Sequence, residues 1–180
     1  MKNLRLAFVD LETTGLDPLE HEIIEIGIVI AEQKDGTINL ISEHNIQLIP
    51  THIENADPKG LEVNKFYKRD WSAAVPQKEG LEKVLALLAG TVFIAQNVTG
   101  DWAFLIKAGK DYNVDLANAV HYHKLDLASM TFGKFYHEEK LFKFSLREMT
   151  EYFGVTNQDA HTALADARAT FEVCKKVLES

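Results

Sequence analysis

Leu4 to Leu11 is almost continuously apolar, the pattern of a strand buried on both faces. Ile23 to Ala31 (IIEIGIVIA) is a second such run, rich in β-branched residues, and Thr37 to Ile49 alternates more loosely as a third. Gln33-Lys34-Asp35-Gly36 joins the last two, with Asp-Gly as a hairpin turn signal. An antiparallel meander is expected. Residues 50 to 76, with Pro50, Pro58 and Pro76, break the pattern and read as irregular. Gln77 to Ala89 then places Leu81, Val84, Leu85 and Leu88 at helical spacing, and Gly90 suits the residue just past its end. Thr91 to Ala95 is a short buried strand, Asp101 to Ala108 a helix, and Val120 to Leu125 a fifth strand. Ser145 caps a helix over Leu146 to Phe153, because Glu148 completes a capping box, and Gly154 stops it. The last helix runs from about Ala160 to Leu178, with an apolar stripe of Ala163, Leu164, Ala167, Phe171, Cys174, Val177 and Leu178. Three strands followed by alternating helix and strand describe an α/β domain with a mixed sheet flanked by helices.

Length and composition narrow the class. The 180 residues suit one domain, 1–180, and 46% hydrophobic with 26% charged residues suits a packed core. No apolar run approaches the roughly 20 residues a membrane span needs. The opening Met1-Lys2-Asn3-Leu4 lacks a signal-peptide pattern, and the single cysteine, Cys174, cannot form an internal disulfide. A cytoplasmic protein is expected. The net charge of −8 argues against a protein that coats nucleic acid by charge alone. It is compatible with a nuclease, because bound cations restore positive charge where the chemistry occurs.

Three small groups of residues could carry chemistry. Asp10 and Glu12 end the first strand two residues apart, so both carboxylates face one side of the sheet. Such a pair is costly to desolvate without a partner, and a hard divalent cation is a natural one. If the strand has already ended, both are simply solvated. Asn97 and Asp101 follow the strand Thr91 to Ala95 at a spacing of four, where Asp101 could equally serve the helix dipole. His161 lies at the mouth of the last helix, and Asp166 lies within an alanine-rich stretch (ALADARA) that lets a ligand or backbone come close. Alone, His161 reads as a surface residue and Asp166 as one more solvated charge.

In combination these residues resemble the DEDDh family of 3′-to-5′ exonucleases, the family of the bacterial proofreading polymerase subunit. Phe8-Val9-Asp10-Leu11-Glu12-Thr13-Thr14-Gly15-Leu16-Asp17-Pro18 resembles its first motif, and Ile23 to Gly27 the strand that follows. Asn97 to Asp101 with Phe104-Leu105 resembles the second, and His161 to Ala167 the third. Ser145-Leu146 and Tyr152-Phe153-Gly154 resemble the helix before the third motif, so the likeness spans Leu6 to about Val177. Gln96 and Gly100 depart from the usual residues beside Asp101, which bears on the shape of the substrate groove.

The resemblance implies an RNase H-like fold with a central mixed five-stranded sheet. It implies two divalent ions, Mg²⁺ or Mn²⁺, held by Asp10, Glu12, Asp101 and Asp166, with His161 as general base. Two such ions ~4 Å apart stabilise both the attacking and the leaving oxygen of an in-line displacement. Thr13, Thr14, Gly15, Leu16, Asn97, Phe104 and His161 are the expected substrate contacts, although Leu16 and Phe104 could equally be core residues. The expected substrate is the 3′ end of single-stranded DNA, released as nucleoside 5′-monophosphates in proofreading or repair. An RNA-trimming exonuclease or oligoribonuclease would use the same carboxylates, and a non-catalytic module that binds nucleic acid or a polymerase would have no evident use for all five groups. A polymerase subunit is a candidate partner; no membrane is expected, and the chain would act as a monomer or homodimer.

Several other residues draw the eye. His121 and His123 could share a strand face as a metal pair but have no evident third ligand. Asp126 reads as structural. Glu25, inside an apolar strand, must find a hydrogen-bonding partner within the fold.

Overall fold

A computed structural model describes residues 4–180, so the opening Met1-Lys2-Asn3 lies outside the described residues. Strands β1 (Arg5–Thr13), β2 (Ile23–Lys34) and β3 (Thr37–Ile49) form the expected antiparallel meander. Asp35 and Gly36 turn the hairpin with φ of 52° and 82°, the left-handed pair that a tight two-residue turn requires. β5 (Val92–Ala95) adds in parallel beside β1.

Among the described residues the sheet has six strands where five were expected; with β4 (Val75–Pro76) and β6 (Leu125–Asp126) the order is β4-β3-β2-β1-β5-β6. The extra one is β4 (Val75–Pro76), a two-residue strand parallel to the end of β3. The sixth, β6, is only Leu125–Asp126, not Val120 to Leu125. His121 instead donates its amide to Thr91 O at 2.7 Å, a single tie that holds the segment without building a ladder. His121 and His123 are therefore loop residues, with rings 5.6 Å apart.

Residues 50–76 are less irregular than expected. Helix α1 (Pro58–Val63) starts there, capped by Asp57, whose carboxylate accepts from Lys59 N at 2.9 Å, with Pro58 in the first helical position. Helix α2 (Gln77–Leu88) follows β4, and Gly90 past its end takes φ 72°. Helix α3 (Val98–Asp111) begins three residues before Asp101, so Asp101 lies in its first turn. Helix α4 (Leu127–Phe135) was not expected. Asp126 joins it to α3: its carboxylate accepts from Ser129 N at 2.7 Å and from Val98 N at 2.9 Å, holding the starts of two helices at once. Helix α5 (Leu146–Phe153) is capped by Ser145, and α6 (Ala163–Glu179) begins after His161, not before it.

The alternation of β1 sorts the layers. Ala7 and Val9 face α2 and α3, packing with Leu81, Val84 and Leu105. Phe8 faces the other way, toward α6, where its ring meets Phe171 at 5.3 Å. Asp10 and Glu12 continue the Phe8 side by the same period of two. The core on the α6 side thus runs out into two carboxylates. Among the described residues, no helix is long and apolar enough to cross a membrane.

Candidate active site

Glu25 sets the position of α6. It has 0% exposure in β2, directly opposite Glu12 in the β1–β2 register. One carboxylate oxygen takes the Arg69 guanidinium and the Asn45 amide (2.9 Å), and the other accepts from Ala163 N at 3.0 Å. A buried anion is tolerable only when paired and hydrogen-bonded in this way. The consequence reaches beyond stability: the first amide of α6 is tied to β2. Gly27 allows the approach. A Cβ there would lie 2.1 Å from Ala163 O, so only glycine lets the backbone of α6 come this near.

Asp10 pairs with Gly27 across the sheet. The close docking of α6 beside Gly27 therefore delivers Asp166, one turn into the helix, to Asp10. Carboxylate oxygens of Asp10, Glu12 and Asp166 lie within 4.8 Å of one another. Asp166 is held from behind, accepting from Asn157 Nδ2 at 2.6 Å and from His161 N at 3.2 Å. Arg168, the cation nearest it in sequence, is engaged with Glu43 through two bonds of 2.9 and 2.7 Å. The carboxylate cluster keeps its charge largely unanswered.

The electrostatics follow. Burial, then the carboxylates of Asp101, Asp166, Glu12 and Glu25, hold the Asp10 carboxyl well above its ordinary range. Burial, then Asp166 and Glu25, push Glu12 up to about 7 against the opposing pull of Arg69. Burial takes Asp101 to about 7 as well, although backbone amides of Asp101 and Leu11 favour its charged form. Asp101 is outside the three-oxygen cluster, yet it is the strongest charged neighbour of Asp10. The donor set is entirely carboxylate oxygen in a small volume, which fits hard divalent cations.

The sign of the pH dependence is set by these shifts. Carboxyls raised in the folded state bind protons more tightly folded than unfolded. Their stabilisation is complete below the ordinary carboxylate range and is lost as pH rises through about 7. In EDTA, the melting temperature should fall between pH 5 and pH 8, and Mn²⁺ at pH 8 should restore it. A flat profile in thermal melts would contradict the repulsion.

His161 sits beside the cluster with φ 69°, unusual for a non-glycine residue, and its side chain is exposed. Its amide bond to Asp166 holds the turn. Asn97 is the exposed cap residue of α3 and makes no side-chain capping bond. On the other side of Glu12, Thr13, Gly15 and Leu16 line a cleft of about 320 Å³ against Lys59, Gly60, Val63 and Asn64. Leu16 stands at its edge, 91% exposed. Thr14 faces inward: it is buried, its hydroxyl accepts from Glu22 N at 2.9 Å, and its own amide donates to Glu22 O at 2.8 Å. That amide is not available to a ligand. Phe104 is likewise 8% exposed and packs in the core under α3, the alternative that the sequence left open for it.

Some contributors were not singled out in the sequence. Gly27 was legible as the one glycine in a β-branched run, a known mark of close backbone approach. Asn157, Asn64 (whose amide holds Thr13 O at 3.0 Å) and Arg69 carried no such signal.

A model of the exonuclease family, RNase_T, matches residues 7–174. A PolC-type DNA polymerase III of Caldanaerobacter subterraneus subsp. tengcongensis is 30% identical over 173 residues, covering 94% of this chain but 11% of that much longer protein. An oligoribonuclease of Haemophilus ducreyi is 28% identical over 188 residues, covering 97% of this chain and 93% of its own. Among solved structures, Escherichia coli exonuclease I in complex with a dT13 oligonucleotide superposes with a TM-score of 0.78 at 16% identity, over 97% of this chain and 41% of that one. That likeness shows the fold, which is RNase H-like.

Proposed function

We propose, from the premise that the chain belongs to the exonuclease family, that it is a metal-dependent 3′-to-5′ exonuclease acting on single-stranded nucleic acid. The observation that carries this reading is the meeting of Asp10, Glu12 and Asp166 within 4.8 Å, with Asp101 close enough to raise Asp10 further. Asp10, Glu12, Asp101 and Asp166 would hold two divalent cations, Mg²⁺ or Mn²⁺. When bound, such cations stabilise the attacking and leaving oxygens of an in-line displacement.

The chain's own residues do the rest. His161, tethered through its amide to Asp166, takes the proton from the attacking water, a role suited to imidazole near neutrality. Gly15 and Leu16 border the cleft that would seat the terminal nucleotide, and Asn97, one turn before Asp101 at the start of α3, is a further candidate contact. The products are a nucleoside 5′-monophosphate and a strand one nucleotide shorter. His161→Ala should lower kcat by about a hundredfold to ten-thousandfold, the usual weight of a general base, with little change in strand affinity. Single-turnover rates and equilibrium binding separate the two; a fall in affinity alone would make His161 a substrate contact.

DNA is the first reading, in keeping with the oligonucleotide in the exonuclease I complex and with the polymerase relative, which also brings a polymerase into view as a partner. Short RNA is the second, favoured by the nearly full-length match to an oligoribonuclease. The test is hydrolysis of 5′-labelled single-stranded DNA and matched RNA in Mn²⁺ or EDTA. A metal-dependent ladder shortening from the 3′ end supports the activity, and the faster substrate decides between the readings. No cleavage of either by folded protein that is stabilised by Mn²⁺ would sink the activity.

A further inference from the structure

A chain that buries Phe8, Phe93 and Phe171 leaves another set of rings at its surface. Phe132 on α4 and Phe144 just before α5 meet edge to face, 5.5 Å apart, and Tyr136 lies 6.3 Å from Phe132. Phe132 is 57% exposed and Tyr136 more so, while Phe144 is half-buried against the core. Single exposed apolar residues are ordinary, but a connected aromatic group in water is a mark of a binding surface.

Two features connect this patch with the carboxylates. A groove of about 430 Å³ beside α5 is lined by His161, Asp166 and Asn157 together with Leu146 and Arg147. Phe144 lies two residues before Leu146, which lines that groove. Phe144 also adopts φ 52°, a conformation that disfavours a bulky residue. Gln96 Nε2 donates to Phe144 O at 3.0 Å and so fixes this turn to the end of β5, one residue before the cap of α3.

We infer that Phe132 and Tyr136, backed by Phe144, form a stacking platform for single-stranded nucleic acid, receiving bases of the strand upstream of the reacting end. The inference rests on the exonuclease reading for which end of the strand lies at the carboxylates. Lys140, Lys143 and Arg147 are offset nearby by Glu138, Glu139 and Glu148, so base faces and not phosphates dominate recognition. Every base has a π-face, which makes the platform tolerant of sequence, and with its nearby cations offset by carboxylates few counterions are released, so salt weakens this contact little.

Fluorescence anisotropy with 5′-fluorescein-labelled dT12 and U12 in EDTA reads the platform without hydrolysis. Phe132→Ala and Tyr136→Ala should each weaken binding by about tenfold, the scale of one lost base–aromatic stack. Phe132→Trp should restore it, and both alanine variants should keep the rise in melting temperature on adding Mn²⁺. Unchanged affinity in both alanine variants, or no binding by the unsubstituted protein, overturns the platform. So does a change of mass by sedimentation without a change in affinity, which would make the patch a contact between two copies. Weakened binding in a protein that hydrolyses neither oligonucleotide would keep the platform and remove the exonuclease reading.

Discussion

Asp10→Asn is expected to abolish turnover and, in EDTA at pH 8, to raise the melting temperature. The two effects have one cause. The Asp10 carboxylate is opposed by its surroundings, with burial first and four acidic neighbours after it. Asparagine keeps its size and removes its charge, so the repulsion among Asp10, Glu12, Asp101 and Asp166 is relieved while packing is kept. The same charge is what a cation needs. Without it, stabilisation by Mn²⁺, about 2.7 kcal/mol when the ion is at a hundred times its Kd, should shrink or vanish. Turnover should fall by a thousandfold or so, because the lost group organises charge where charge develops in the reaction.

Thermal melts of both proteins at pH 5 and pH 8, with EDTA or Mn²⁺, check the stability half; product release from a labelled oligonucleotide checks the other. The gain should fade at pH 5, where the raised carboxyls of the unsubstituted protein are protonated and repel less. A variant that melts lower in EDTA at both pH values would show that Asp10 is structural. Full turnover would remove the cluster from the reaction.

How much of this was visible in the chain varies with range. Local signals carried the meander: the apolar runs of β1 and β2 and the Asp35-Gly36 turn needed no knowledge of distant partners. The capping box before α5 was also legible, although Glu148 uses its carboxylate on Lys143 N at 2.7 Å instead of the Ser145 amide. Helix α1 was missed although its signal was present, Asp57 followed by Pro58. β6 was misplaced because Val120 to Leu125 is apolar at both ends, while pairing to β5 extends only over Leu125 and Asp126.

The candidate site divides in the same way. The motif positions could be picked out by order and residue type. What assembles them could not. Glu25 was expected to need a partner, but Arg69 stands 44 residues away and Ala163 stands 138 away. No periodicity connects such positions. The inward turn of Thr14 and the burial of Phe104 are likewise tertiary outcomes, since neither residue type nor spacing separates a groove wall from the core beneath it.

Gly27→Ala should be the most damaging small substitution outside the carboxylates. The added methyl would lie 2.1 Å from Ala163 O and 2.4 Å from Leu164 N, both backbone atoms of α6 that cannot swing aside as a side chain can. The start of α6 must retreat by more than an ångström, and with it the bond from Ala163 N to Glu25 and the position of Asp166 against Asp10. Overpacking of this kind typically costs about 1–3 kcal/mol. Breaking the tie to Glu25 adds to it, because a buried carboxylate loses a donor. Turnover should fall by roughly a hundredfold, the penalty for misplacing a reacting group by about 1 Å. Gly133→Ala is the contrast: in α4, with open space around the new methyl, it should be neutral or stabilise by about 0.5–1 kcal/mol. Chemical denaturation of both variants, with Mn²⁺ titration by calorimetry, separates the effects. If Gly27→Ala loses stability but binds Mn²⁺ as before and turns over normally, α6 does not need this contact to deliver Asp166. If metal affinity and turnover fall together, the one glycine in β2 is what allows a helix from the far end of the chain to complete a site begun by β1.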